Sequence, residues 1–210
     1  MLTTNFLGTP FKNPLVLASG IMGVTAASMK NVVEHGAGGV TVKSLSLTPR
    51  TGHPNPTQMG TKNYYINAVG LSNPGVEAGV EELKLFKKDC GAPLIGSIFA
   101  GTPDEFAEAA EKICAAPIDW LEIDVSCPNV SREFGDPFAY SIPAIEQITK
   151  KVIKRTQSSR CLLLERLAAR IMDGLKTTRG LQGVSLRIDK PQAVAEARCI
   201  SYKVNFSLAG

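Results

Sequence analysis

Apolar and polar positions along the chain follow two alternating periods. Asn5-Phe6-Leu7-Gly8-Thr9-Pro10-Phe11 sets apolar residues on both sides of a Gly-Thr turn and reads as a short hairpin. Leu15-Val16-Leu17-Ala18-Ser19 is a mostly apolar run ending at Gly20 and reads as a buried strand. Further strand-like runs occupy Gly38 to Ser46, Leu94 to Ala100 and Trp120 to Ser126. Helical spacing covers Ala26 to His35, Val76 to Lys88, Pro103 to Cys114 and Ile142 to Arg155, with Thr102 placed to cap the third. Strands alternating with helices of this length predict βαβ units on a parallel sheet.

The spacing suits a (β/α)8 TIM barrel, but a complete barrel takes roughly 250 residues. Four units already bring this 210-residue chain to about Arg155. The expected organisation is therefore the N-terminal half of a (β/α) barrel over residues 1–156. Residues 157–210 then form an atypical tail. Within that tail Cys161 to Met172 fits an amphipathic helix ended by Gly174, while Thr177 to Gly210 shows no sustained period of 2 or 3.6.

Composition sharpens this division. With 44% hydrophobic and 20% charged residues, the chain supports a sizeable core rather than a disordered polymer. Residues 1–156 carry 14 Lys+Arg against 15 Asp+Glu, whereas residues 157–210 carry 9 against 4, and usage there shifts from Lys to Arg. The basic tail lacks the aromatic interleaving of a base-stacking surface, so nucleic-acid binding is not expected. Met1 to Phe6 lacks a signal-peptide pattern and no run approaches the ~18 apolar residues of a membrane span, so a soluble cytoplasmic protein is expected. Five cysteines without a CxxC pair suggest thiols rather than a disulfide framework, and with two histidines no metal site is expected.

In a parallel barrel the reacting groups sit at the carboxyl ends of the strands. Ala18-Ser19-Gly20, Lys43-Ser44 and Ser126-Cys127-Pro128-Asn129 all fall there. With Asn67-Ala68-Val69-Gly70-Leu71-Ser72-Asn73-Pro74-Gly75, these segments resemble the soluble, cysteine-using class of dihydroorotate dehydrogenases over roughly residues 1–156.

The resemblance implies an FMN-dependent enzyme of pyrimidine biosynthesis that oxidises dihydroorotate to orotate. Cys127 would remove the C5 proton as hydride leaves C6 for the flavin, a role open only to the thiolate, which is a minor form at neutral pH for an ordinary thiol of pKa near ~8.5. Ala18, Ser19, Gly20, Lys43, Ser44 and Asp124 would contact the cofactor. Lys43, Asn67, Gly70, Leu71 and Asn129 would hold the substrate, with Asn73 supporting their loop. Orotate is a planar anion with imide edges, so amides and one fixed cation match its chemistry. The family also implies a homo-oligomer, in some members beside a flavin and iron–sulfur electron-transfer subunit that uses NAD.

Two departures stand out. The family usually has Asn where this chain has Asp124, and a carboxylate ~4 Å from an anionic ligand costs on the order of 4 kcal/mol at an effective dielectric near ~20. Beyond Gln157, the fifth strand with its second cofactor lysine and the Gly-rich phosphate loops are not legible, as in a frameshifted or truncated product. The competing readings are a non-catalytic remnant serving as an interaction module and a related flavoenzyme acting on another pyrimidine.

Overall fold

The computed structural model describes residues 2–6, 8–127 and 136–156, and, as backbone alone, 162–163, 183–191 and 199–207. The chain divides into two units, Met1–Cys161 and Leu162–Gly210.

The first unit opens with the expected hairpin, β1 (Thr4–Phe6) against β2 (Thr9–Phe11), turned at Gly8. Four parallel strands follow in sequential order: β3 (Val16–Leu17), β4 (Gly39–Thr41), β7 (Leu94–Ile98) and β8 (Trp120–Ile123). Between β4 and β7 a second hairpin is inserted, β5 (Gln58–Gly60) against β6 (Tyr65–Asn67). The helices are α1 (Ala26–Glu34), α2 (Val76–Asp89), α3 (Pro103–Ile113) and α4 (Ile142–Thr156). Sequential parallel strands, each followed by a helix packed beside the previous one, are the winding of a (β/α) barrel. Among the described residues the barrel is not closed.

Local chemistry explains the helix starts. Thr102 and Glu105 form a reciprocal capping box at α3, with Pro103 in the first turn, and Thr25 with Ser28 does the same at α1. His35 lies at the C-terminal end of α1, its Nδ1 2.8 Å from the Asn31 carbonyl oxygen. Each helix ties to the next: Glu82 of α2 accepts from Ala26 N at 2.6 Å, Lys112 of α3 pairs with Glu77, and Arg155 of α4 pairs with Glu111 at 2.7 Å. The two ion pairs are exposed and add little energy. Cohesion comes instead from Met29, Leu83, Phe86, Phe106, Ile113 and Ile148 of the helices, all fully buried, as are Val40, Leu94 and Ile98 of the sheet.

The first hairpin closes the amino ends of the strands. Trp120 at the start of β8 donates from Nε1 to Thr9 Oγ1 at 3.1 Å and stacks tilted on Phe6 at 5.3 Å, while Phe11 packs on Gly39 at the start of β4. The carboxyl ends are thereby left as the open face.

Four expectations change. Leu15 and Val16 are 67% and 40% exposed, because β3 is the edge of an open sheet and lacks the neighbour that would bury it. Cys114 is disulfide-bonded rather than a free thiol. Leu162–Leu163 is a strand, β9, not the start of a helix; the rest of Cys161 to Met172 lies outside the described residues. Thr177 to Gly210 is not aperiodic, since Gly183–Pro191 and Cys199–Ser207 form an antiparallel hairpin, β10–β11. Its register sets Val184 opposite Phe206, Leu186 opposite Val204 and Ile188 opposite Tyr202. These residues alternate with polar ones in both strands, a period of 2 present in the sequence.

Candidate active site

Because β3, β4, β7 and β8 run parallel, the segments following their last residues gather at one end of the sheet. They meet the chain from β6 to Gly75 around a pocket of about 420 Å³. Ser19, Gly20, Lys43, Asn67, Gly70, Leu71 and Cys127 all line it, so seven residues singled out from four separate motifs share one cavity. Ala18 is exposed beside it, Ser44 is buried just behind its wall, and Asp124 stands half-buried next to Ser44. Asn129 lies outside the described residues.

Lys43 follows β4, and its backbone N–H donates to the Gly23 carbonyl at 2.9 Å. Burial of its ammonium pulls its pKa below the ordinary lysine value, while the neighbouring charges of Asp124 and of a Cys127 thiolate oppose that shift. The three groups are thus electrostatic neighbours. Cys127 is partly buried and packs against Leu71 and Phe99, whose ring lies 5.9 Å from the Arg50 guanidinium carbon.

The turn beside Cys127 is strained in a defined way. Gly70 and Leu71 both hold left-handed backbone, at φ 72° and 55°. For leucine this costs on the order of 1–3 kcal/mol. At Gly70 a side chain is also excluded by space, since a Cβ would come 2.7 Å from the His53 ring. Asn73 locks the turn: its Nδ2 donates to the Leu71 carbonyl at 2.8 Å and to Ser46 Oγ at 2.9 Å, and its Oδ1 accepts from Gly75 N at 2.9 Å and Ser46 N at 3.1 Å. At 6% exposure it spends both ends of its amide on positioning.

Behind the pocket runs a hydroxyl chain that sequence reasoning missed in part. Ser19 Oγ is 3.0 Å from Ser44 Oγ, which lies 3.1 Å from Ser97 Oγ and 3.2 Å from Asp124 Oδ2; Ser97 Oγ is 2.9 Å from Glu122 Oε1. These four contacts are served by three hydroxyl protons. A carboxylate only accepts, so Asp124 and Glu122 each draw a serine proton and the Ser44–Ser97 contact is left without one. The missed members, Ser97 and Glu122, had a sequence signal: polar residues inside otherwise apolar strands. Glu122 and Asp124 also lie two apart on β8 and its continuation, hence on one face. Gln58 and Tyr65 of the inserted hairpin, which also line the pocket, carried no such signal.

Residues 1–179 match the family model described as dihydroorotate dehydrogenase. A Methanosarcina mazei protein named dihydroorotate dehydrogenase B (NAD(+)), catalytic subunit, is 42% identical over 146 residues, covering 69% of this chain and 46% of that protein. A Pyrococcus furiosus protein of the same name is 36% identical over 191 residues, covering 86% of this chain and 63% of that one. The chain thus spans about half the length of the first of the curated relatives it matches. Among solved structures, the Eimeria tenella DHODH in complex with ferulenol aligns with a TM-score of 0.65 over 74% of this chain and 44% of that chain, at 21% identity, a likeness of fold.

Proposed function

Because the chain belongs to the dihydroorotate dehydrogenase family, we propose that its pocket is the substrate and flavin-ring site of an FMN-dependent enzyme oxidising dihydroorotate to orotate. The observation that carries this is the convergence of Lys43, Asn67, Gly70, Leu71 and Cys127 on one cavity at the carboxyl ends of the strands. A fixed cation, an amide and one thiol match a planar anion that must lose a carbon-bound proton.

The residues present fit the ring of FMN. Ser19 and Gly20 offer open backbone at the pocket wall: among the described residues, Gly20's chain neighbours apart, a Cβ built on Gly20 would have within 4 Å only the Ala18 carbonyl oxygen, at 3.8 Å. The main chain from Ala18 to Gly20 and the Lys43 side chain would hold the ring, with Ser44 fixing Ser19 from behind. When bound, the flavin supplies the hydride acceptor. The chain's residues do the rest: Lys43 holds the substrate anion, Asn67 and the Gly70–Leu71 turn orient its ring, and the Cys127 thiolate takes the proton from C5. Asn129 completes the substrate set in this reading.

The relatives' names describe catalytic subunits of an NAD(+)-type enzyme, which supports a partner subunit; by the family resemblance that partner would carry flavin and iron–sulfur groups, and the catalytic chain would form a homo-oligomer. No helix among the described residues is long and apolar enough to cross a membrane. Titration of the chain into FMN tests the reading. Binding shifts the flavin spectrum, raises the melting temperature, and leaves a complex whose spectrum responds to orotate; an unperturbed flavin at saturating protein contradicts it.

A further inference from the structure

The hairpin β5–β6 forms part of the pocket wall through residues outside the family motifs. Gln58 and Asn67 are directly paired across its two strands, and both line the cavity. Tyr65 lies two residues from Asn67 along β6, hence on the same face, and also lines it. The Tyr65 ring packs over its cross-strand partner Gly60, where a Cβ would come 3.1 Å from Tyr65 Cδ2. That placement lets the Tyr65 hydroxyl donate to Gln58 Oε1. The amide oxygen of Gln58 is then engaged, and its Nε2 keeps two N–H donors for a ligand.

We propose that Gln58 is a specificity residue of this pocket, donating to the acceptor edge of a planar anionic ligand, and that Tyr65 is the positioning residue that turns its amide donor-side in. The proposal rests on reading the pocket as a pyrimidine-carboxylate site. Gln58 adds an amide donor to the Lys43 cation and the Asn67 amide on the same cavity, so the ligand's carboxylate and ring carbonyls meet donors from three side chains. An exposed glutamine held by nothing loses rotamer freedom only on binding; the tyrosine hydrogen bond removes that loss beforehand.

The test measures orotate and uracil affinity of the full chain by calorimetry, in wild type, Gln58→Ala, Gln58→Glu, Tyr65→Phe and the Tyr65→Phe/Gln58→Ala pair. All these positions are exposed, and unchanged melting curves verify intact folding. Tyr65→Phe weakens orotate about five- to tenfold, Gln58→Ala at least as much, and the double variant no more than Gln58→Ala alone. Gln58→Glu, which trades the donors for a negative charge, weakens orotate far more than uncharged uracil. Orotate binding unchanged in Gln58→Ala, or Tyr65 and Gln58 effects that multiply independently, overturns the assignment while leaving the pocket reading intact. Absence of orotate binding by wild type overturns the pocket reading and Gln58's role with it.

Discussion

Ser44 Oγ lies 3.2 Å from Asp124 Oδ2, and this contact takes the one hydroxyl proton that could otherwise join Ser44 to Ser97. An amide at position 124 would reverse the direction. Its N–H would donate to Ser44, Ser44 to Ser97, and Ser97 to Glu122, so all four contacts would hold a proton. Asp124→Asn is therefore expected to stabilise the protein by about 1 kcal/mol, or roughly 2–4 °C in melting temperature. It also removes a negative charge from beside the anion site, so orotate binds more tightly. Thermal melting and orotate titration at one pH check both effects; unchanged or weaker values contradict the network.

Lys43 predicts a pH dependence. Its folded pKa is lowered by burial, so the folded protein releases this proton at lower pH than the unfolded chain does. Between the folded pKa and the ordinary lysine value the unfolded state binds more protons, so stability gains from this group as pH rises. Over the same window the pocket loses its cation, and orotate affinity falls. Lys43→Met is expected to abolish that alkaline loss of affinity by weakening binding at every pH. It also removes Lys43's share of the alkaline stabilisation, read as the difference between wild-type and variant melting curves across pH.

Asn73 tests the strained turn. Asn73→Asp replaces two donors with acceptors facing the Leu71 carbonyl and Ser46 Oγ. Buried and mispaired, it is expected to cost about 1–3 kcal/mol and to release Leu71 from its left-handed backbone. Denaturant melts read the first effect, and weakened orotate binding reads the second. Retention of both values would show that the turn holds itself.

Thr102 supplies a control away from the pocket. Thr102→Ala removes the acceptor for Glu105 N and is expected to cost about 1 kcal/mol with ligand affinity unchanged. A loss of affinity would mean that the α3 cap reaches the site.

How far these features were readable depends on where each residue's constraint lies. The helices of the first unit were legible because their caps and apolar stripes are local: Thr25, Thr102 and His35 sit at or beside the ends predicted. Strand identity was legible too, but not strand exposure. Leu15 and Val16 look like core residues, and only the absence of a neighbour at the sheet edge exposes them. Ser19, Gly20, Lys43 and Cys127 share the pocket because strand ends in a parallel sheet lie on one side, and Asn67, Gly70 and Leu71 join them from the end of β6 and the turn after it. Gln58 and Tyr65 reached the pocket through an inserted hairpin whose position no local pattern encodes. The tail was misread for another reason: Val184, Leu186 and Ile188 alternate with Ser185, Arg187 and Asp189, a strand period obscured by the irregular composition around it.

Cys127 carries the chemistry of the whole account, and rapid mixing of the FMN-loaded chain with dihydroorotate in the absence of oxygen tests it most directly. Wild type is predicted to bleach the flavin absorbance. Cys127→Ser, with flavin binding intact, is predicted to do so 10²- to 10⁴-fold more slowly, on the order of the contribution of a general base. Bleaching by Cys127→Ser at the wild-type rate, or none by a wild-type chain that has bound FMN, would contradict the assignment.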